Sequence, residues 1–145
     1  MIQKSQVIPL ILARCPRFQP TWEKHRELWG TEEAGIYNDL GEFATFTVSA
    51  YTSHDTEQMV TAFTLIEELL VEGDEEVRTA AAIGFLEDVR NSASHQPFGA
   101  GVFVQWLGPK SKQAWIEIEE MWRGKTSLAD VVRVERAAAK TKSKP

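Results

Sequence analysis

A single cysteine, Cys15, in 145 residues excludes an internal disulfide and offers no thiol framework for a structural metal. Histidine is almost as scarce. His25, His54 and His95 stand in three separate segments, and neither HExxH nor ExxH occurs. The most recognisable zinc and carboxylate-bridged di-iron signatures are therefore missing. The phosphate-cradling patterns GxxxxGK(S/T) and GxGxxG are absent, as is the nucleophile elbow GxSxG, so no cofactor and no hydrolytic site is expected. Long apolar runs are lacking too. The longest, Ala80 to Leu86, is seven residues, far short of the roughly 18 to 20 needed to cross a bilayer. Lys4 precedes the apolar stretch Val7 to Ala13, but Pro9 and the lack of a small-residue cleavage site argue against a signal peptide. A cytoplasmic location without membrane contact is the expectation.

Basic residues are also rare over the middle of the chain. Residues 32 to 88 contain fourteen Asp or Glu and one cation, Arg78, although the whole chain carries only −5. Half of the offset comes from residues 125 to 145, where six Lys or Arg face Asp130 and Glu135. An acidic body repels a phosphate backbone and attracts a basic surface, so a protein partner is expected and nucleic acid is not. What the chain has in quantity is apolar material: 43% hydrophobic residues, with five Trp, seven Phe and two Tyr. That is enough for one domain with a real core. We expect a single helical domain over residues 1–136 and a basic, flexible tail over 137–145, in a monomer or weak dimer.

The punctuation predicts helices almost throughout. Ser5 is placed to cap a first helix ending near Cys15, and Pro16 and Pro20 bound a loop. Thr21 opens a short helix that carries Trp22 and Trp29 on one face toward the core and ends at Gly30. A longer helix is expected from Thr31 to Thr52, with the stripe Ile36, Leu40, Phe43, Thr47 and Tyr51. Asp55 and Thr56 start the next, with Met59, Phe63, Ile66 and Leu70, and Gly73 ends it. Asp74 then caps a helix that is apolar around most of its circumference at Ala80 to Leu86, and such a helix belongs inside. A short helix around Val102 to Leu107 follows. Another starts at Gly108 and Pro109, with Trp115, Ile118 and Trp122 on one stripe. Ser127 caps a last weak one. No run alternates at period two. The fold class is all-α, a bundle of seven or eight helices, with Phe43, Phe63, Ile66, Leu70, Ala81, Phe85, Leu86, Trp115 and Trp122 in the core.

The stretch Leu70 to Val89, LVEGDEEVRTAAAIGFLEDV, resembles the second half of a HEAT repeat through Asp74, Val77, Arg78, Ala80 and Ala81. That resemblance implies one HEAT-like helical hairpin. No second copy follows at a spacing of roughly 35 to 45, so a regular solenoid is not expected. GIYNDLGEFA (Gly35 to Ala44), the HEAT-like stretch and WLGPKSKQAW (Trp106 to Trp115) together are similar to a family of small acidic bacterial helical domains of unknown activity. Proteins of this character occur among toxin immunity proteins. The resemblance implies a protein-binding inhibitor and carries over no catalytic residue.

Three functions are set against each other. An inhibitor of a basic toxin would use the acidic turn Glu72, Asp74, Glu75 and Glu76, flanked by Glu67, Glu68, Asp39 and Glu42. A cation-dependent enzyme would need Asp39, Glu42, Glu87, Asp88 and His95 to converge. An adaptor would dock a partner helix in a HEAT-like groove. The bland reading of the same carboxylates is a solvated surface with charged helix N-termini. Arg78 is expected to pair with a neighbouring carboxylate. The loop Ser94 to Gly101 is expected to expose His95 and Phe98.

Overall fold

Gly73 and Asp74 show how closely the local signals are obeyed. Gly73 closes helix α4 (Thr56–Glu72) and Asp74 opens α5 (Glu75–Ala80), its carboxylate accepting from the Val77 N–H at 2.9 Å. A Cβ on Gly73 would run into the Leu69 carbonyl and the Val77 side chain, so the turn is built around its absence. At the other end of α4, Asp55 accepts from the Gln58 N–H at 3.2 Å. These are ordinary N-caps, satisfying donors that the first turn leaves free.

The computed structural model describes residues 1–123. Ahead of α4 lie α1 (Lys4–Arg14), a 3₁₀ turn (Pro16–Phe18), α2 (Gln19–Trp29) and α3 (Ile36–Thr52). After α5 the helix continues without a break through a π-helical segment (Ala81–Glu87) into α6 (Asp88–Ser94). A 3₁₀ segment (Ala100–Trp106) follows, and residues 109–123 are helical. Among the described residues there are thus seven α-helical segments and no strand. Ile2 forms an isolated bridge to Gly73, donating to the Glu72 carbonyl at 2.8 Å and accepting from the Asp74 N–H at 2.9 Å. No helix among the described residues is long and apolar enough to cross a membrane. The chain separates into two units, Met1–Trp115 and Ile116–Pro145. The basic tail and the weak helix expected after Ser127 lie outside the described residues.

In the first unit α3 is the central helix, packed against α2, α4, α5, the π segment and α6. Aromatic rings run through it in series. Phe18 meets Phe43 at 5.1 Å, Phe43 meets Phe85 at 5.5 Å, Phe85 meets Phe63 at 5.6 Å, and Phe63 meets Phe103 at 5.8 Å. All five side chains are fully buried.

The π segment has a cause that can be read in the spacing. Val77, Ala81, Phe85, Val89 and Ala93 recur every four residues and are all buried. In a uniform α-helix of 3.6 residues per turn, a spacing of four drifts by about 40° per step. A segment with i→i+5 bonds holds more than four residues per turn and rotates the stripe back onto one face. Gly84 lies in this segment, and a Cβ there would stand 3.3 Å from the Tyr37 Cα and carbonyl oxygen. Glycine therefore sets how closely the segment approaches α3.

Several expectations are corrected. The first helix begins at Lys4, not after Ser5, because the Gln6 side chain accepts from the Gln3 N–H at 2.8 Å and anchors the start two residues earlier. α2 starts at Gln19, since the 3₁₀ turn feeds directly into it. α3 starts at Ile36 and not Thr31, because Gly35 sits at φ +90° and breaks the approach, leaving Glu32 and Glu33 outside the helix. Trp22 and Trp29 are half-buried, not core. Leu70 is half-buried at the edge of the α4 stripe, and Trp122 is 37% exposed. The other seven expected core residues are buried. Phe98 is half-buried because its ring packs on Tyr51 at 4.6 Å. Arg78 is exposed and makes no ion pair among the described residues, an outcome consistent with how little an exposed pair gains over water.

Candidate functional site

The eight carboxylates singled out from the sequence divide into three groups. Glu67 and Glu68 are committed to internal work. Glu67, near the C-terminal end of α4, accepts from the backbone N–H of Lys110 at 3.0 Å, the N–H of Ser111 at 2.8 Å and the Ser111 hydroxyl at 2.9 Å. Pro109 brings no N–H to this helix start, so one borrowed carboxylate satisfies the next two donors and places negative charge at the positive end of the helix. A Cβ on Gly108 would collide with that carboxylate at 2.6 Å. Glu68 forms a two-pronged pair with Arg14 at 3.0 and 3.2 Å, tying α1 to α4. Both carboxylates thus have partners within the chain.

Asp39 and Glu42 serve α2. His25 is 7% exposed, and its Nε2 lies 3.0 Å from Asp39 Oδ1, while Nδ1 is 3.8 Å from Glu42 Oε2. Trp22 and Trp29 flank the imidazole at 5.5 and 6.4 Å. The two tryptophans thus shelter a histidine that links α2 to α3. The spacing Trp22, His25, Trp29 is the signal that could have found it, since all three share one helical face.

The remaining four residues form the acidic turn. Asp74 is used as the α5 cap, and Glu76 approaches Lys4 at 3.7 Å with both side chains more than half exposed. Glu72 and Glu75 are exposed and make no side-chain hydrogen bond or ion pair among the described residues. Asp74, Glu75, Glu76 and Thr79 line a shallow depression whose far wall is Tyr37, the second residue of α3. Tyr37 was not among the residues chosen from the sequence. It neighbours the stripe Ile36, Leu40, Phe43, but its side chain is 44% exposed.

The convergence that a cation-dependent enzyme would need is not found. Asp88 faces α3 at Gly41, its Oδ2 occupying the space a Cβ there would take, whereas Asp39 and Glu42 turn to His25. His95 caps the end of α6 and is exposed. Among the described residues no group of three or more His, Cys, Asp or Glu could hold a metal ion. The Asp88 carboxyl is pushed above the usual carboxylate range, first by burial and second by the charge of Glu87. The Cys15 thiol is buried and pushed up, chiefly by burial and against opposing contributions from Gln58, Arg17 and Arg14, which marks it as a packing residue and not a nucleophile. Asp55 is held below the usual range by the Arg17 guanidinium and by the Gln58 N–H.

A family model described as a domain of unknown function (DUF7674) matches residues 8–123. Neither curated proteins nor solved structures yield a match.

Proposed function

We propose that this chain, which belongs to the DUF7674 family, is a non-catalytic binding protein that inhibits a basic protein partner, most concretely an immunity protein that neutralises a bacterial toxin. The carrying observation is the division among the glutamates of one helical hairpin. Glu67 and Glu68 are locked by internal partners, whereas Glu72 and Glu75 project from the turn unpaired and Glu76 is held only by an exposed lysine. They lie in a stretch with fourteen acidic residues and a single cation. A field of that sign speeds encounter with a basic surface and disfavours a phosphate backbone. Acidic side chains projecting from a rigid hairpin can occupy the place of the phosphates that a nucleic-acid-directed toxin binds, and this requires no turnover.

The test is protection. A modular toxin encoded beside this chain's gene is expected to lose its toxicity when the chain is co-expressed. The combined variant Glu72→Lys, Glu75→Lys and Glu76→Lys is expected to keep its helical circular dichroism and to lose protection, with slower association that no longer depends on salt in the parent's manner. Undiminished protection by the reversed variant at low salt, or a gene neighbourhood without a toxin, overturns the reading.

A further inference from the structure

We infer that the depression lined by Tyr37, Asp74, Glu75, Glu76 and Thr79, together with Ile83 one helical turn beyond Thr79, seats an amphipathic basic segment of a partner protein, with an apolar side chain on Tyr37 and Ile83 and its Lys or Arg on Asp74, Glu75 and Glu76. This deepens the proposed function and rests on that reading. Two apolar side chains are left outward here although both neighbour the core: Tyr37 and Ile83 are each 44% exposed, next to the fully buried Leu40 and Phe85 stripes. Gly84 brings the two walls together, its missing Cβ allowing the backbone of Tyr37 to come within van der Waals contact. Ile83 follows Thr79 by one turn of the same wall, and Thr79 lines the depression with the three carboxylates. The rotation imposed by the π segment keeps Gly84, Phe85 and Leu86 inward while Ile83 points out. A π-helical turn of this kind is commonly kept where a helix serves a function.

The chemistry of the occupant follows from the rim. Asp74, Glu75 and Glu76 stand on one side of Tyr37, and the single cation paired there, Lys4, is exposed and 3.7 Å from Glu76. A partner lysine or arginine can replace it. Tyrosine is enriched among the residues that dominate binding energy because it offers a large rigid face and a polar tip. An aromatic anchor within an acidic rim selects a ligand that is both cationic and apolar, and rejects one that is only cationic.

The probes are two dye-labelled synthetic 14-residue helical peptides of equal positive charge. One carries Lys and Leu on opposite faces. In the other every Leu is replaced by Gln. Fluorescence anisotropy with the full chain at low salt is expected to show the Leu peptide binding about tenfold more tightly. Tyr37→Ala and Ile83→Ala should each reduce that preference and together abolish it. Leu28→Ser, at an 84% exposed position on α2, should leave it unchanged. As a measurement independent of any variant, backbone amide shifts of Tyr37, Thr79 and Ile83 in the parent should move on titration with the Leu peptide. Equal binding of the two peptides, a preference that survives the double variant, or shifts confined to α2 would overturn the inference. If Glu75→Lys and Glu76→Lys weaken both peptides while the Leu preference is missing, the groove is rejected and the acidic-surface reading stands. If neither peptide responds to those reversals, the broader reading fails as well.

Discussion

Two pairs of glutamates separated by barely two turns of one hairpin have opposite fates. Glu67 and Glu68 stand on the side of α4 that meets other elements, and each closes a junction: Glu67 caps the helix at residues 109–123, and Glu68 binds Arg14 of α1. Glu72 and Glu75 flank the turn, where nothing among the described residues answers them. Identical chemistry is a fastener in one place and an outward field in the other. The difference lies in which neighbour the fold supplies. Acidity alone does not separate the two kinds, since Glu67, Glu68, Asp39 and Glu42 also lie in the acidic stretch and have carboxylates that face groups of the chain itself.

The largest effect sets the scale for that comparison. Phe85 is fully buried between Phe43 and Phe63, and Phe85→Ala is expected to lower stability in urea by about 2 to 5 kcal/mol through lost transfer energy and a cavity. A loss under about 0.5 kcal/mol would mean that the π segment is not part of the core.

Next comes the comparison itself. Glu67→Ala leaves the buried Ser111 without acceptors for its N–H and hydroxyl, and should cost about 1 to 3 kcal/mol. Glu75→Ala, made on the same hairpin, should stay within about 0.5 kcal/mol. Equal losses in the two variants would erase the distinction between fastener and field. The expected opposite result holds for association: Glu75→Ala slows encounter with a basic probe, and any effect of Glu67→Ala there tracks the fraction unfolded.

The smallest effect concerns a carboxylate in neither class. Asp88 is partly buried against Gly41 with no cation beside it among the described residues, and burial raises its pKa. A folded-state pKa above the unfolded one means that the native chain holds the proton more firmly, so ionisation of Asp88 destabilises the fold above its folded pKa and has no effect below the unfolded value. Asp88→Asn should thus raise the melting temperature at neutral pH, with the gain shrinking as pH falls through the carboxylate range. A gain that stays constant with pH would assign it to packing and not to charge.

Periodicity and caps were legible because they are local. Asp55 and Asp74 as caps, Gly73 as a stop, and the stripe from Ile36 to Thr47 follow from donors and side chains only a few residues apart. The four-residue spacing from Val77 to Ala93 was also in plain view, yet the π segment that answers it was not expected, because a drifting stripe shows its cost only when one partner, α3, must be faced along its whole length. His25 went unrecognised for a related reason. Its partners lie 14 and 17 residues away on α3, a separation that spans a loop with Gly35 at positive φ.

By itself, then, the amino-acid order determined the all-helical class, the ends of the hairpin helices at Asp55, Gly73 and Asp74, and Phe43, Phe63 and Phe85 as core, since hydrogen-bond capping and hydrophobic periodicity act over one or two turns. Tertiary packing alone decided the destiny of each carboxylate. Lys110 and Ser111 reach Glu67 across 43 and 44 residues, and Arg14 reaches Glu68 across 54. No local pattern encodes those distances. Folding brings a charge either to a donor that must be satisfied or to open water, and only that placement separates a carboxylate that holds the chain together from one that is left to the solvent.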